Sequence, residues 1–129
     1  MYETANPVPV NDATFEAEVL RSELPVVVDF YAEWCRPCRV TEPMVRDLSA
    51  RLAGRVKFAT VNVDEATQVT RSYGIHSIPT FLFLEAGHER GREVGPLDPV
   101  AFRELLKRAF VAPRPARAAA VSGGRPASR

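Results

Sequence analysis

Leu24-Pro25-Val26-Val27-Val28-Asp29-Phe30-Tyr31 is an almost unbroken run of apolar, β-branched and aromatic residues. A strand apolar on both pleats must be covered on both faces, so this run predicts an interior strand of a sheet sandwiched between helices. Asp29 is the one residue in it that does not belong there. From about Cys35 to Leu52 the period becomes helical, with Met44, Val45, Leu48 and Leu52 on one stripe. Glu42/Arg46 and Asp47/Arg51 form i, i+4 pairs on the opposite side. Pro43 lies inside this helix and cannot donate to the carbonyl of Arg39, which predicts a kink rather than a stop.

The remaining elements alternate around this pair. Val8 to Val10 is β-compatible, Asn11 and Asp12 are cap candidates, and a helix should follow with Phe15, Val19 and Leu20 facing inward. Gly54 closes the long helix, Val56 to Val63 alternates as a strand, and Glu65 to Tyr73 is a short helix. Pro79 to Leu84 is a strongly apolar strand, and Gly87 lies in a tight turn before a polar, edge-like partner over Glu89 to Val94. Asp98-Pro99 reads as a cap followed by proline at the first helical position. Phe102, Leu105, Leu106, Ala109 and Phe110 make the inner face of the closing helix. The predicted order is βαβαβαββα, an α/β fold whose helix-connected strands run parallel and whose last hairpin adds an antiparallel edge.

The chain has 129 residues, the size of one domain. Residues 1–111 hold thirteen of the seventeen basic residues and all sixteen acidic ones, a net charge of −3, and Arg114, Arg117, Arg125 and Arg129 give residues 112–129 a charge of +4. A domain over 1–111 and a disordered Ala/Pro/Arg-rich tail over 112–129 are expected. The total of +1 does not suit binding of nucleic acid through its phosphates. No apolar run approaches the roughly 20 residues that cross a bilayer, and Met1-Tyr2-Glu3 does not open a secretory signal, so a cytoplasmic protein without a membrane anchor is expected.

The two cysteines, Cys35 and Cys38, close too short a loop to stabilise a fold by chain entropy, which points to reactivity rather than stapling. Cys35 lies where the buried strand gives way to a helix, and the unpaired N–H groups there favour a thiolate. Cys38 is one helical turn on, within reach of a disulfide, and Pro37 stiffens the turn without removing a helical hydrogen bond. A zinc site is the rival reading of C-x-x-C, but the chain adds only His76 and His88, one near a proline loop and one in a hairpin turn. No metal is expected.

Val28-Asp29-Phe30-Tyr31-Ala32-Glu33-Trp34-Cys35-Arg36-Pro37-Cys38, then Pro43, Val61-Asn62-Val63-Asp64, Tyr73-Gly74-Ile75, Ile78-Pro79-Thr80 and Val94-Gly95 resemble the thioredoxin family, in order, over roughly Val8 to Val111. The resemblance implies the thioredoxin fold, a three-layer α/β architecture with a central mixed sheet, and an oxidoreductase that reduces protein disulfides. It implies Cys35 as the attacking thiol, Cys38 as the resolving thiol, Asp29 as the buried acid that deprotonates Cys38, and Pro79 as a cis-proline. Trp34, Ile78, Pro79 and Gly95 match the rim where substrate docks, its backbone pairing with the segment before Pro79. Against these stand plainer readings: Trp34 as a core aromatic, Gly95 as a turn glycine, and Asp29 as a structural acid satisfied by backbone donors.

The resemblance further implies a monomer that binds no cofactor, acts on disulfide-bonded proteins, and is re-reduced by a flavin-dependent thioredoxin reductase drawing on NADPH. Arg36 stands where the family usually has glycine, Thr60 where a lysine often neighbours the buried acid, and Ser77 where glycine often precedes the Ile-Pro pair. Arg36 and Pro37 are therefore expected to tune the redox pair. An oxidase or isomerase, or a redox-idle binding module, are the other functions this fold accommodates.

Overall fold

The structure is a computed structural model that describes residues 6–111; the Arg-bearing segment 112–129, expected to be disordered, lies outside the described residues. Five strands, β1 (Val8–Val10), β2 (Val26–Tyr31), β3 (Lys57–Asn62), β4 (Thr80–Glu85) and β5 (His88–Val94), form one sheet in the order β1-β3-β2-β4-β5. The helices are α1 (Arg36–Arg51), α2 (Thr67–Ser72) and α3 (Pro99–Leu106), the last continuing as a π-helical turn over Lys107–Val111. The first predicted helix is a π-helical turn, Glu16–Leu20, with Arg21 N–H donating to the Glu16 carbonyl at 3.0 Å.

The pleat of β2 sorts the core into two layers. Val26, Val28 and Phe30 pack with Ala59, Val61, Leu82 and Leu84 beneath Phe15, Val19 and Val69. Val27 packs with Phe58, Phe81 and Phe83 beneath Val45 and Leu48 of α1 and Phe102, Leu106 and Phe110 from α3 and its extension. Asp29, two residues beyond Val27, shares the α1 side by strand alternation. Phe102 is fully buried, with its ring 5.0 Å from Phe81, 5.9 Å from Phe83 and 6.3 Å from Phe58. Asp98 caps α3 by accepting from the Ala101 N–H at 2.8 Å.

Two expectations are corrected. The strands were expected to run parallel wherever a helix intervenes, and β1, β3 and β2 do, but β4 follows α2 and is antiparallel to β2. Helix α2 has six residues, about 9 Å of rise, against about 20 Å for a six-residue strand, so it cannot carry the chain back to the far end of the sheet. β4 therefore starts at the end where β3 finished. Asp12, a cap candidate for the first helix, instead accepts from the Gln68 and Val69 N–H groups at 3.2 and 2.9 Å and so caps α2; Asn11 makes the local turn, accepting from Ala13 and Thr14. The β4–β5 turn places Ala86 and Gly87 at φ 51° and 80°, the double positive of a type I′ hairpin.

Phe102 joins α3 to three strands, so Phe102→Ala should lower unfolding stability by about 3–5 kcal/mol. Urea denaturation followed by circular dichroism measures it. A loss below about 1 kcal/mol would mean that the neighbouring rings collapse into the space.

Candidate active site

The chain leaves β2 at Tyr31, turns through Ala32 to Trp34, and enters α1 with Cys35 as its N-cap residue. Cys35 has an extended backbone, φ −86° and ψ 109°, and its Sγ accepts the Cys38 N–H at 3.2 Å. That donor is one of the first-turn amides with no partner inside the helix, so Cys35 sulfur occupies the place a Ser or Asp oxygen takes in other helices. Pro37 sits in the same first turn, where its missing N–H costs nothing. Cys35 and Cys38 are joined as a disulfide with their Cα atoms 5.3 Å apart. The α1 helix runs without a break through Pro43.

Reactive though their placement makes them, the two cysteines are only 4% and 6% exposed. They pack with Ala32 against Tyr31, Val63 and Ile78. What reaches solvent is their surround. Trp34 is 67% exposed, which settles it as a surface residue rather than a core aromatic, and Arg36 and Pro37 are exposed beside it. The indole Nε1–H of Trp34 donates to Asp64 Oδ2 at 2.8 Å, so the ring is held although it is not buried. Asp64 was not singled out by sequence reasoning; the signal was its place just past β3, which runs parallel to β2 and ends on the same side.

The antiparallel start of β4 delivers the third part. Ile78–Pro79 is a cis peptide bond, and Ile78 lies against the cysteine cluster. Among the described residues the Ile78 backbone has no hydrogen-bond partner, while the next carbonyl, that of Pro79, accepts the Gly95 N–H at 2.8 Å. Gly95 has φ 100°, a conformation that disfavours any side chain, so the backbone geometry favours glycine here. His76 and His88 are exposed and remote from each other in the fold, on the loop before β4 and at the start of β5.

Beneath the disulfide, Asp29 is 6% exposed, and its Oδ1 has no hydrogen-bond partner. Its cross-strand neighbours are Thr60 on β3 and Phe81 on β4, neither of them charged. Burial pushes the carboxyl up from 3.8 to about 7, with the Glu42 carboxylate adding to the rise. A cleft of about 260 Å³ is lined by Asp29, Cys38, Arg39, Glu42, Thr60 and the turn from Tyr31 to Glu33. Cys38 borders this cleft and Cys35 does not. Among the described residues no group of three or more His, Cys, Asp or Glu side chains is placed to hold a metal ion.

The family model described as Thioredoxin matches residues 6–108. The chain belongs to the thioredoxin family. It is similar to thioredoxin of Rickettsia bellii, 45% identical over 86 residues that cover 67% of this chain and 82% of the relative. Thioredoxin 1 of Nostoc sp. is 40% identical over 99 residues, 77% of this chain and 92% of the relative. An M-type chloroplastic thioredoxin of Brassica napus is 39% identical over 94 residues, 72% of this chain and 53% of the relative. With a cysteine pair at disulfide distance in the family's fold, the protein is an enzyme, a thiol–disulfide oxidoreductase acting on protein disulfides.

The raised carboxyl has a consequence for stability. Because Asp29 holds its proton more tightly folded than unfolded, the native state binds more protons between pH 3.8 and about 7, and stability falls as pH rises through that window. Asp29→Asn removes the ionisation. The variant should match the parent below pH 4 and exceed it at pH 8 by on the order of 1–3 kcal/mol, within a ceiling of roughly 4 kcal/mol for a three-unit shift. Urea unfolding at pH 4, 6 and 8 checks it, and a less stable variant at pH 8 would show that the carboxylate is satisfied in the fold.

Proposed function

We propose that the enzyme works as a reductase, with Cys35 as the attacking thiol, Cys38 as the resolving thiol and Asp29 as the base that serves Cys38. The observation that carries the assignment is that Asp29 and Cys38 line one cleft, while Cys35 Sγ accepts the helix N-terminal amide that favours its thiolate. The Cys35 thiolate attacks a sulfur of the substrate disulfide, forming a mixed disulfide and releasing the other substrate sulfur as a thiolate that takes a proton from water. Cys38 then passes its proton to the Asp29 carboxylate and attacks Cys35 sulfur. The Cys35–Cys38 bond forms, the second substrate thiol leaves, and two electrons have moved to the substrate.

Substrate docks on the rim of Trp34, Ile78, Pro79 and Gly95. The unpartnered Ile78 backbone supports this, since an extended polypeptide can pair with it as an added strand. Arg36 and Pro37 tune the couple, Arg36 by placing a cation next to the Cys35 thiolate. Two electrons per cycle come from NADPH through a flavin-dependent thioredoxin reductase; this chain itself binds no cofactor and acts as a cytoplasmic monomer. Among the described residues no helix is long and apolar enough to cross a membrane, which is compatible with that location.

Cys38→Ser should accumulate mixed disulfides with a disulfide-bonded protein on a non-reducing gel, whereas Cys35→Ser should form none and lose activity. Adducts on Cys35→Ser alone would reverse the assignment. Asp29→Asn should slow release of the mixed disulfide by roughly tenfold or more, as loss of a general base does.

Arg36→Gly should make the couple more reducing by about 15 mV, the equivalent of ~0.5 pKa unit at Cys35. Equilibration against glutathione measures this. Equal potentials for parent and variant would remove Arg36 from the tuning residues.

A further inference from the structure

Glu42 and Arg46 form an i, i+4 ion pair on α1, and both side chains are more than half exposed. An exposed pair of this kind contributes little to stability, a few tenths of a kcal/mol at most. Its position is the unusual part. Glu42 lines the cleft that connects Asp29 and Cys38 with solvent, so one member of the pair stands at the mouth of the passage to a buried carboxyl. A cleft of about 260 Å³ is many times the ~30 Å³ a water molecule occupies, so it has room for water between Asp29 and solvent, with Glu42 among its lining residues.

The other groups facing Asp29 leave this role to Glu42. From β3 and β4 the cross-strand neighbours are Thr60 and Phe81, without charge. From α1 come Cys38, held in the disulfide, and Arg39, whose guanidinium is turned to the Glu33 carbonyl at 2.7 Å. The turn after β2 adds Tyr31 and Glu33 to the cleft. Of these charges it is the Glu42 carboxylate that adds to the effect of burial on Asp29, and the direction is to hold the proton on.

We propose that Glu42, at the cleft mouth, and its ion-pair partner Arg46 are positioning residues for the resolving step, together setting how readily the Asp29 carboxyl takes up and releases a proton. The inference rests on Asp29 serving Cys38 as its base, and it adds a control on that base. Glu42 favours the protonated acid, Arg46 offsets Glu42, and the balance between them fixes the pH range in which Asp29 is able to accept a proton. Thr60, opposite Asp29, supplies no charge of its own, so the control comes from the helix rather than from the sheet.

The pair makes a prediction of opposite signs. Glu42→Gln removes the anion and leaves Arg46 unopposed, so the Asp29 titration midpoint should fall by roughly 0.5 to 1 pH unit. Arg46→Gln leaves Glu42 unopposed, so the midpoint should rise by a similar amount. Glu42→Asp, which keeps the charge, should lie close to the parent. Carboxyl-carbon NMR of the oxidised full-length protein with isotope-labelled aspartate reads the midpoint, independently of any activity. Unmoved midpoints in both Gln variants, or shifts of the same sign, would overturn the proposal. A mere loss of helix stability would not produce opposite shifts. The pH dependence of mixed-disulfide resolution, measured with Cys35 bonded to a cysteine-containing peptide, separates the underlying reading. Rates that follow the midpoints support both, whereas opposite midpoint shifts with unmoved rates support the charge pair and reject Asp29 as the base.

Discussion

Burying β2 on both faces forces the rest of the architecture into place. A strand with Val26, Val28 and Phe30 on one side and Val27 on the other needs helices above and below and strands on either hand, and β3 and β4 supply the latter. Its C-terminal end then leaves the core on the side where β3 also ends and β4 begins. Trp34 and the cysteines follow β2, Asp64 follows β3, and Ile78–Pro79 precedes β4, so segments far apart in sequence converge on one edge. The site is a consequence of strand directions before it is a consequence of any one side chain.

Most of the elements were legible because their residues report burial. The doubly apolar β2, the helical stripe through Val45 and Leu48, and the Asp98-Pro99 cap each state a local physical preference that the fold respects. The direction of β4 was not legible, because it depends on how far α2 carries the chain, and a rule based on an intervening helix overlooks a helix too short to cross the sheet. Asp12 was misassigned for a related reason: its side chain looked like a cap for the next helix, but its partners lie on α2, and no local pattern announces a contact between distant segments.

The site residues divide along the same line. Cys35, Cys38 and the out-of-place Asp29 stand out by residue type. The exposure of Trp34 could be inferred only from its neighbours, and the burial of the cysteines was hidden, since it arises from Ile78 and Val63 arriving from other elements. Glu42 read as half of an ordinary surface ion pair. Only the packing of α1 over β2 brings it to the mouth of the cleft, where a charge still acts on a group removed from water.

Asp12 also links motions that the sequence keeps apart. A six-residue helix is far below the length at which helices persist alone in water, so α2 owes its existence to packing and to the cap that Asp12 provides from the segment after β1. If the edge strand β1 frays, that cap is withdrawn, the first turn of α2 loses its partners, and the loop leading to Pro79 loses its anchor. Local opening at the N-terminal edge of the sheet would thereby reach the Ile78–Pro79 segment that leads into β4 on the far side of β2, with no ligand required to carry the message.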